Sequence, residues 1–205
     1  ANTTGDHNSA LGNDALKLNT TWYSNNAFGY RTLYSITTGF GNHAFGQTAL
    51  YSNTTGYQNI GIGFEALYEN TEGFQNVGVG YQALRYNTTG DYSTAVGNTA
   101  LRSNTTGQKN TACGYSALYT NITGHYNSAF GYKALNYSGQ PYCTEGCAFG
   151  AYSLYNTTSG SHNTAIGYNA GYSNTTGSQN VFIGRNSGHG QTGVHNKLYI
   201  MSAAT

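Results

Sequence analysis

One set of large apolar residues recurs along this chain at almost constant spacing, each member followed by glycine. The large residue (Φ) reads Leu11, Phe28, Phe45, Ile62, Val79, Val96, Cys113, Phe130, Phe149, Ile166 and Ile183. The residue before it is Ala or Gly in every copy except one, where Phe182 stands. A second apolar column runs Leu16, Leu33, Leu50, Leu67, Leu84, Leu101, Leu118, Leu135 and Leu154. Between them lie Asn, Thr and Gly. Asn2, Asn19, Asn53, Asn70, Asn87, Asn104 and Asn121 fall on one 17-residue grid, with Ile36 and Ser138 in its two vacant nodes. On this reading Asn156 and Asn174 continue the grid after single-residue additions, giving eleven copies of about N-T-T-G-x-x-N-T-A-Φ-G-Y-x-A-L-Y-S. A repeat of this kind, sought before anything else, decides the architecture.

Seventeen residues are too few for a helix pair with its turns, and the recurring glycine disfavours long helices. The repeat predicts an all-β fold, a parallel β-solenoid (β-roll) with one coil per copy. One strand is expected on N-T-A-Φ and another on A-L-Y-S, with G-Y-x and N-T-T-G as turns in which glycine supplies positive φ. Alternation along a strand sends Ala and Φ to opposite faces, yet both are apolar. Which of them faces the coil interior is left open by the pattern. A stripe of Φ outside would be a long exposed apolar patch, so oligomerisation is expected, as a trimer or as a filament of the chain with itself. Rungs about 4.8 Å apart give a rod on the order of 50 Å long. The solenoid is expected over 1–184, with an irregular excursion at 138–146 around Pro141, and a capping segment over 185–205 whose Asn196 to Ile200 reads as a terminal strand.

Composition narrows the picture. Leu, Ile, Val and Phe number 32 of 205 residues, below the ~20% level that signals disorder when net charge is high, so a thick core is not expected. The chain is not of the disordered class either, since its net charge is +1 and only 7% of it is charged. In stacked rungs a charge would meet its own copy above and below, which explains the scarcity; Asn and aromatic side chains stack instead. Eight Lys and Arg against seven Asp and Glu form no basic face, so no nucleic-acid partner is expected. No apolar run reaches the ~18 residues of a membrane span. There is no signal peptide and the single Met is Met201, so the sequence reads as a fragment or a processed chain.

N-T-T-G-x-x-N-T-A-Φ-G-Y-x-A-L, closed by Asn180 to Gly184 (N-V-F-I-G) and by N-K-L-Y-I, resembles the repeats of phage tail-fibre-like and bacterial surface-fibre proteins. The S-A-F-G and T-A-I-G units also resemble the β-roll heads of trimeric autotransporter adhesins. The resemblance spans residues 2–200. It implies a left-handed roll, three tightly associated chains, and attachment to host-surface or matrix glycans.

Candidate chemistry is sparse. His7, His43, His125, His162, His189 and His195 sit at variable positions without a metal-ligand spacing, and the acids are scattered. No catalytic residue, metal ligand or cofactor is expected, and the chain is read as no enzyme. Cys143 and Cys147 bracket three residues and read either as a disulfide pinning the excursion or as free thiols; Cys113 is expected to be a small buried hydrophobe. Asn2, Asn19, Asn53, Asn87, Asn104, Asn121, Asn136, Asn156 and Asn174 all open N-x-S/T and read either as turn residues or as glycan acceptors. Tyr30, Tyr81, Tyr115, Tyr132 and Tyr168 follow Φ-Gly, while Tyr34, Tyr51, Tyr68, Tyr119, Tyr155 and Tyr172 follow the Leu position. The second set is either a stiffening stack or a surface-binding ladder for sugar rings. The expectation is therefore an extracellular fibre segment, adhesive or tail-fibre-like, on a cell-surface appendage or virion. The alternatives are a structural filament or sheath subunit, glycosylated and joined head to tail, and an ice-binding solenoid built on the Thr columns.

Overall fold

The computed structural model describes residues 5–137 and 143–201. Each coil supplies one three-residue strand: β1 (Ser9–Leu11), β2 (Asn26–Phe28), β3 (His43–Phe45), β4 (Ile60–Ile62), β5 (Val77–Val79), β6 (Thr94–Val96), β7 (Thr111–Cys113), β8 (Ser128–Phe130), β9 (Cys147–Phe149), β10 (Thr164–Ile166), β11 (Val181–Ile183) and β12 (Leu198–Ile200). The strands form one parallel sheet in chain order, Ala27 opposite Ala44 and Ala112 opposite Ala129. About eleven turns of chain join them, so the fold is a parallel β-solenoid. Strand β12 pairs in the same register as the rest, with Leu198 opposite Val181. The expected terminal strand is thus a further rung of the same solenoid.

Register is regular except once. Phe130 and Phe149 are paired neighbours nineteen positions apart, whereas the other neighbouring Φ residues are seventeen apart. One two-residue insertion therefore replaces the two single-residue additions read from the sequence. Its centre, 138–142 with Pro141, lies outside the described residues. In consequence Thr157, buried, takes the interior slot expected for Asn156, which is only half-buried.

The second predicted strand is a corner. Leucines of the A-L-Y-S segment hold φ between 48° and 54°, Leu135 and Leu154 at the lower end and Leu67 at the upper. A left-handed residue with a Cβ costs roughly 1–2 kcal/mol, and full burial of a leucine side chain contributes about 1.5–3 kcal/mol. Leu33 to Leu154 are wholly or almost wholly buried, so the corner is held by packing against local preference. The last two coils drop this device: Gly171 and Gly188 occupy the Leu column at φ 61°. Phe182, which breaks the small-residue rule on β11, is fully buried and fills the space so vacated. A Cβ on Gly171 or Gly188 would lie 2.8 Å and 2.3 Å from its ring.

The two recurring glycines serve different ends. The one after Φ has φ of 105° to 138°, as expected. The one closing N-T-T-G has no positive φ, contrary to expectation; a Cβ on Gly73 would instead strike the Gly90 carbonyl and the Asn70 side chain at 2.5 Å. Close coil-to-coil approach, rather than backbone handedness, demands glycine there.

Strand alternation resolves the question of faces. The central Ala of the strands is fully buried from Ala27 to Ala165, and Φ points outward. The interior is finished by two columns of buried asparagine. In one, the amide of Asn87 donates to Asn70 Oδ1 (2.7 Å) and to the Gly90 carbonyl (2.9 Å), and Asn104 repeats this one rung on. In the other, Asn42, Asn59 and Asn76 each donate their backbone N–H to the Oδ1 of the preceding rung at 3.0 Å. Where Ile36 interrupts the first column, Asn19 Oδ1 is left without a donor.

Candidate binding surface

The interior asparagines include most of the sequons. Asn19, Asn53, Asn87, Asn104, Asn121 and Asn174 are fully buried. Asn136 is 6% exposed, its amide donating to the Ser116 carbonyl at 2.7 Å. The nitrogen that a glycan would modify is the one holding the coil together. This burial favours the turn reading of these residues over the glycan reading. Asn156 alone is half-buried, and Asn2 lies outside the described residues. The Thr columns are likewise turned to structure: Thr54, Thr71, Thr88 and Thr105 donate their hydroxyls to the carbonyl of the next rung at 3.1–3.2 Å. Those hydroxyl protons are therefore engaged within the stack and are not displayed as a free array.

Tyrosines form true columns. At the position after Leu, Tyr34, Tyr51 and Tyr68 stack with centroids 5.2 Å apart. The column continues through Arg85, whose guanidinium lies 5.2 Å from the Tyr68 ring, and Arg102, 5.7 Å from Tyr119. Beyond one break it resumes as Tyr155, Tyr172 and His189 at 5.2 and 5.1 Å. The ring spacing is close to the spacing of the rungs themselves, so in-register rings stack without leaving their rotamers. Stacked rings cover one another's faces, and these Tyr side chains are half-buried. A sugar meets ring edges and hydroxyls here, not the open platform expected. The Φ-Gly set is more exposed: Tyr30, Tyr81, Tyr115, Tyr132 and Tyr168 all expose 42–48% of their surface. A third column, Tyr23, Phe40, Tyr57 and Phe74, stacks at 4.7–5.5 Å. It was hidden in the positions taken as variable; its signal was an aromatic at each seventeenth residue over four copies.

Arg85 and Arg102 also organise the acids and amides beneath them. Arg85 Nε donates to Glu65 Oε2 at 2.6 Å, Gln82 donates to the same oxygen at 2.7 Å, and Arg102 Nε donates to Gln82 Oε1 at 2.9 Å. Burial pushes the Glu65 carboxyl up, but the hydrogen bonds from Arg85 and Gln82 and the Arg85 charge outweigh it, and its pKa falls below the usual carboxylate value.

The Φ column, expected as core or interface, is not core. Leu11, Phe45, Ile62, Val96, Phe149, Ile166 and Ile183 are exposed, and Phe28, Val79 and Phe130 are half-buried. Phe28 and Phe45 stack at 4.8 Å, Phe130 and Phe149 at 4.7 Å. Cys113 belongs to this column and is exposed, which corrects its expected burial. Cys143 and Cys147 are free thiols, not a bridge. Cys143 is buried at a corner and donates to the Gly160 carbonyl at 3.3 Å, while Cys147 opens β9. Burial pushes the Cys143 thiol up to about 12 and raises Cys147 as well.

The histidines are scattered: His43 opens β3 and the others lie outside the strands. His43 Nδ1 pairs with the Asn26 amide at 2.8 Å, His125 Nδ1 accepts from the Gln108 N–H at 3.0 Å, and His195 Nδ1 accepts from the Ser178 N–H at 3.1 Å. His162 Nε2 lies 3.3 Å from Glu145, and His7 stands exposed at a left-handed corner. Among the described residues no three His, Cys, Asp or Glu side chains gather to hold a metal ion. No described helix is long and apolar enough to cross a membrane. Comparison with family models, with curated proteins and with solved structures finds no match to this chain.

Proposed function

We propose that the chain is a non-enzymatic segment of an extracellular fibre, adhesive or tail-fibre-like, in which three copies pack through their Φ columns. The observation that carries this reading is the Φ column itself. From Leu11 to Ile183 every rung turns a large apolar side chain or Cys113 outward on one sheet face. A stripe of this length, on the order of 50 Å from the rung spacing, is more apolar surface than a solitary soluble chain usually leaves wet. Three such stripes facing a common axis cover one another with identical side chains at identical heights. The resemblance to adhesin heads supports the same packing. Outside that axis, repeated tyrosine hydroxyls and edges supply many weak contacts to host-surface or matrix glycans, and repetition along the rod turns them into useful avidity. Stiffness comes from the asparagine and ring columns.

Sedimentation equilibrium tests the assembly. The wild-type chain is expected at three times its 21.8 kDa mass, and a variant with Phe45→Lys and Ile62→Lys at one. A monomeric wild type, or a variant that still assembles, overturns the packing, and an open distribution of sizes favours the filament alternative.

A further inference from the structure

The stack that follows the Leu position is broken at one described rung between Tyr34 and His189. After Tyr119 the next member would be residue 136, and there Asn replaces the planar group. Asn136 is short and is drawn inward by its bond to the Ser116 carbonyl at 2.7 Å. Tyr155 resumes the column one rung later. Two rung spacings, about 10 Å, therefore separate Tyr119 from Tyr155, with no ring of the column between them. Arg102 lies over the Tyr119 ring at 5.7 Å, and Tyr119 also lines the gap. Among the described residues this is the one break inside the column.

The gap is a cavity of about 280 Å³, near the small end of ligand sites. Its far side is not bare: Tyr137 meets Tyr155 edge-on, centroids 5.0 Å apart at 86°. The remaining slot is walled by Tyr119 with Tyr115 beside it, and it has a polar rim. Thr99 and Ser116 hydroxyls, 2.8 Å apart, stand on the rim with Asn136 and Lys133. Lys133 has no carboxylate within ion-pair distance among the described residues; its ammonium lies 5.4 Å from the Tyr132 ring. An apolar face opposite hydroxyls and an amide suits a pyranose, whose C–H face stacks on the ring while its hydroxyls meet the rim. A flat apolar ring would leave that rim unmatched. The unpaired ammonium adds a preference for a carboxylate.

We propose that this break is a binding slot for one hexuronate residue, carried on an acidic polysaccharide. The proposal deepens the adhesive reading above and rests on it: it gives the rod one defined acidic-sugar site per chain within a surface of weak, repeated contacts.

Titration calorimetry of the full chain with free galacturonate, tetragalacturonate and the neutral cellotetraose tests it. One saturable site per chain is expected for both uronates, with affinities within a few-fold of each other, and at least five-fold weaker binding of the neutral sugar. Asn136→Tyr restores the ring that neighbouring rungs carry, so it is expected to fold and to lose uronate binding at least ten-fold. Lys133→Gln is expected to weaken it about five-fold, the scale of one exposed charge pair. Unchanged binding in Asn136→Tyr with dichroism as in the wild type, equal binding of the neutral sugar, or binding of the tetramer without the free sugar overturns the slot. Retention of the same proteins on a polysaccharide-coated surface separates the two ideas. Wild type that adheres but shows no titration site loses the slot and keeps the adhesive reading. Wild type that titrates but does not adhere keeps the slot and loses the polyvalent surface.

Discussion

Leu101 sits at φ 50° with its side chain fully buried, and it shows how single residues are used here. Packing overrides conformational preference at that corner, and the corner turns the chain. Replacing Leu101 with Ala is expected to cost about 2–5 kcal/mol through the cavity left behind. Replacing it with Gly removes the same side chain but relieves the left-handed strain, so Leu101→Gly is expected to be no less stable than Leu101→Ala. That order is opposite to the one in a helix or strand, and chemical denaturation of the two variants measures it. The recurrence of the leucines, and their burial, was legible in the sequence. Their corner was not, because A-L-Y-S has the apolar and aromatic content of a short strand. The one local sign lay in Gly171 and Gly188, which take the same column without a side chain. The asparagines were legible as a grid and as turn residues; their burial was not. Burying a polar amide is costly unless every group is matched, and one of the two partners of each such amide stands a full rung away.

At the scale of a rung, neighbours compensate for one another. Phe182 and Gly171 are such a pair: the ring fills what the missing leucine leaves. Phe182→Ala alone is expected to cost about 3–5 kcal/mol, and Gly171→Leu alone to destabilise by overpacking. The double variant recreates the Ala and Leu pairing of the earlier coils and is expected to be more stable than the sum of the two changes, a favourable coupling on the order of 1–3 kcal/mol. Additive costs would show that the ring does not replace the leucine. The Glu65–Arg85 bridge, which joins the coils of β4 and β5, behaves differently. The Glu65 pKa is lowered in the fold, so the stability it contributes is complete above its unfolded pKa and is lost as pH falls through the folded value. The difference in stability between the wild type and Glu65→Gln is thus expected to stay constant from neutrality down to the usual carboxylate range and to vanish in more acidic solution. Urea unfolding at a series of pH values checks it, and a difference that grows on acidification contradicts it. Neither the Glu65–Arg85 contact nor the third aromatic column could be read from the repeat consensus. Both lie at positions that the consensus leaves variable, and only the register of the coils brings them together.

For the whole molecule, a constant spacing was enough to yield the parallel solenoid, because stacked rungs bury the same column in every copy. It was not enough to tell inside from outside, since Ala and Φ are both apolar and alternate along one strand. Size settled it: the interior next to the Leu column admits Ala, and the larger side chain is turned out. The proposed adhesive slot was hidden for a related reason, as Asn136 reads as one more sequon until its neighbours are seen to be rings. In the proposed assembly the outward Φ stripe is covered by other copies of the chain, and Cys113 reports on it from within the stripe. Maleimide labelling of the native protein, read site by site by mass spectrometry, tests this directly. Cys113 is expected to be as slow to react as the buried Cys143 at concentrations where the chain is assembled, and to become fast on dilution to the monomer. Rapid labelling of Cys113 in the assembled protein would contradict it.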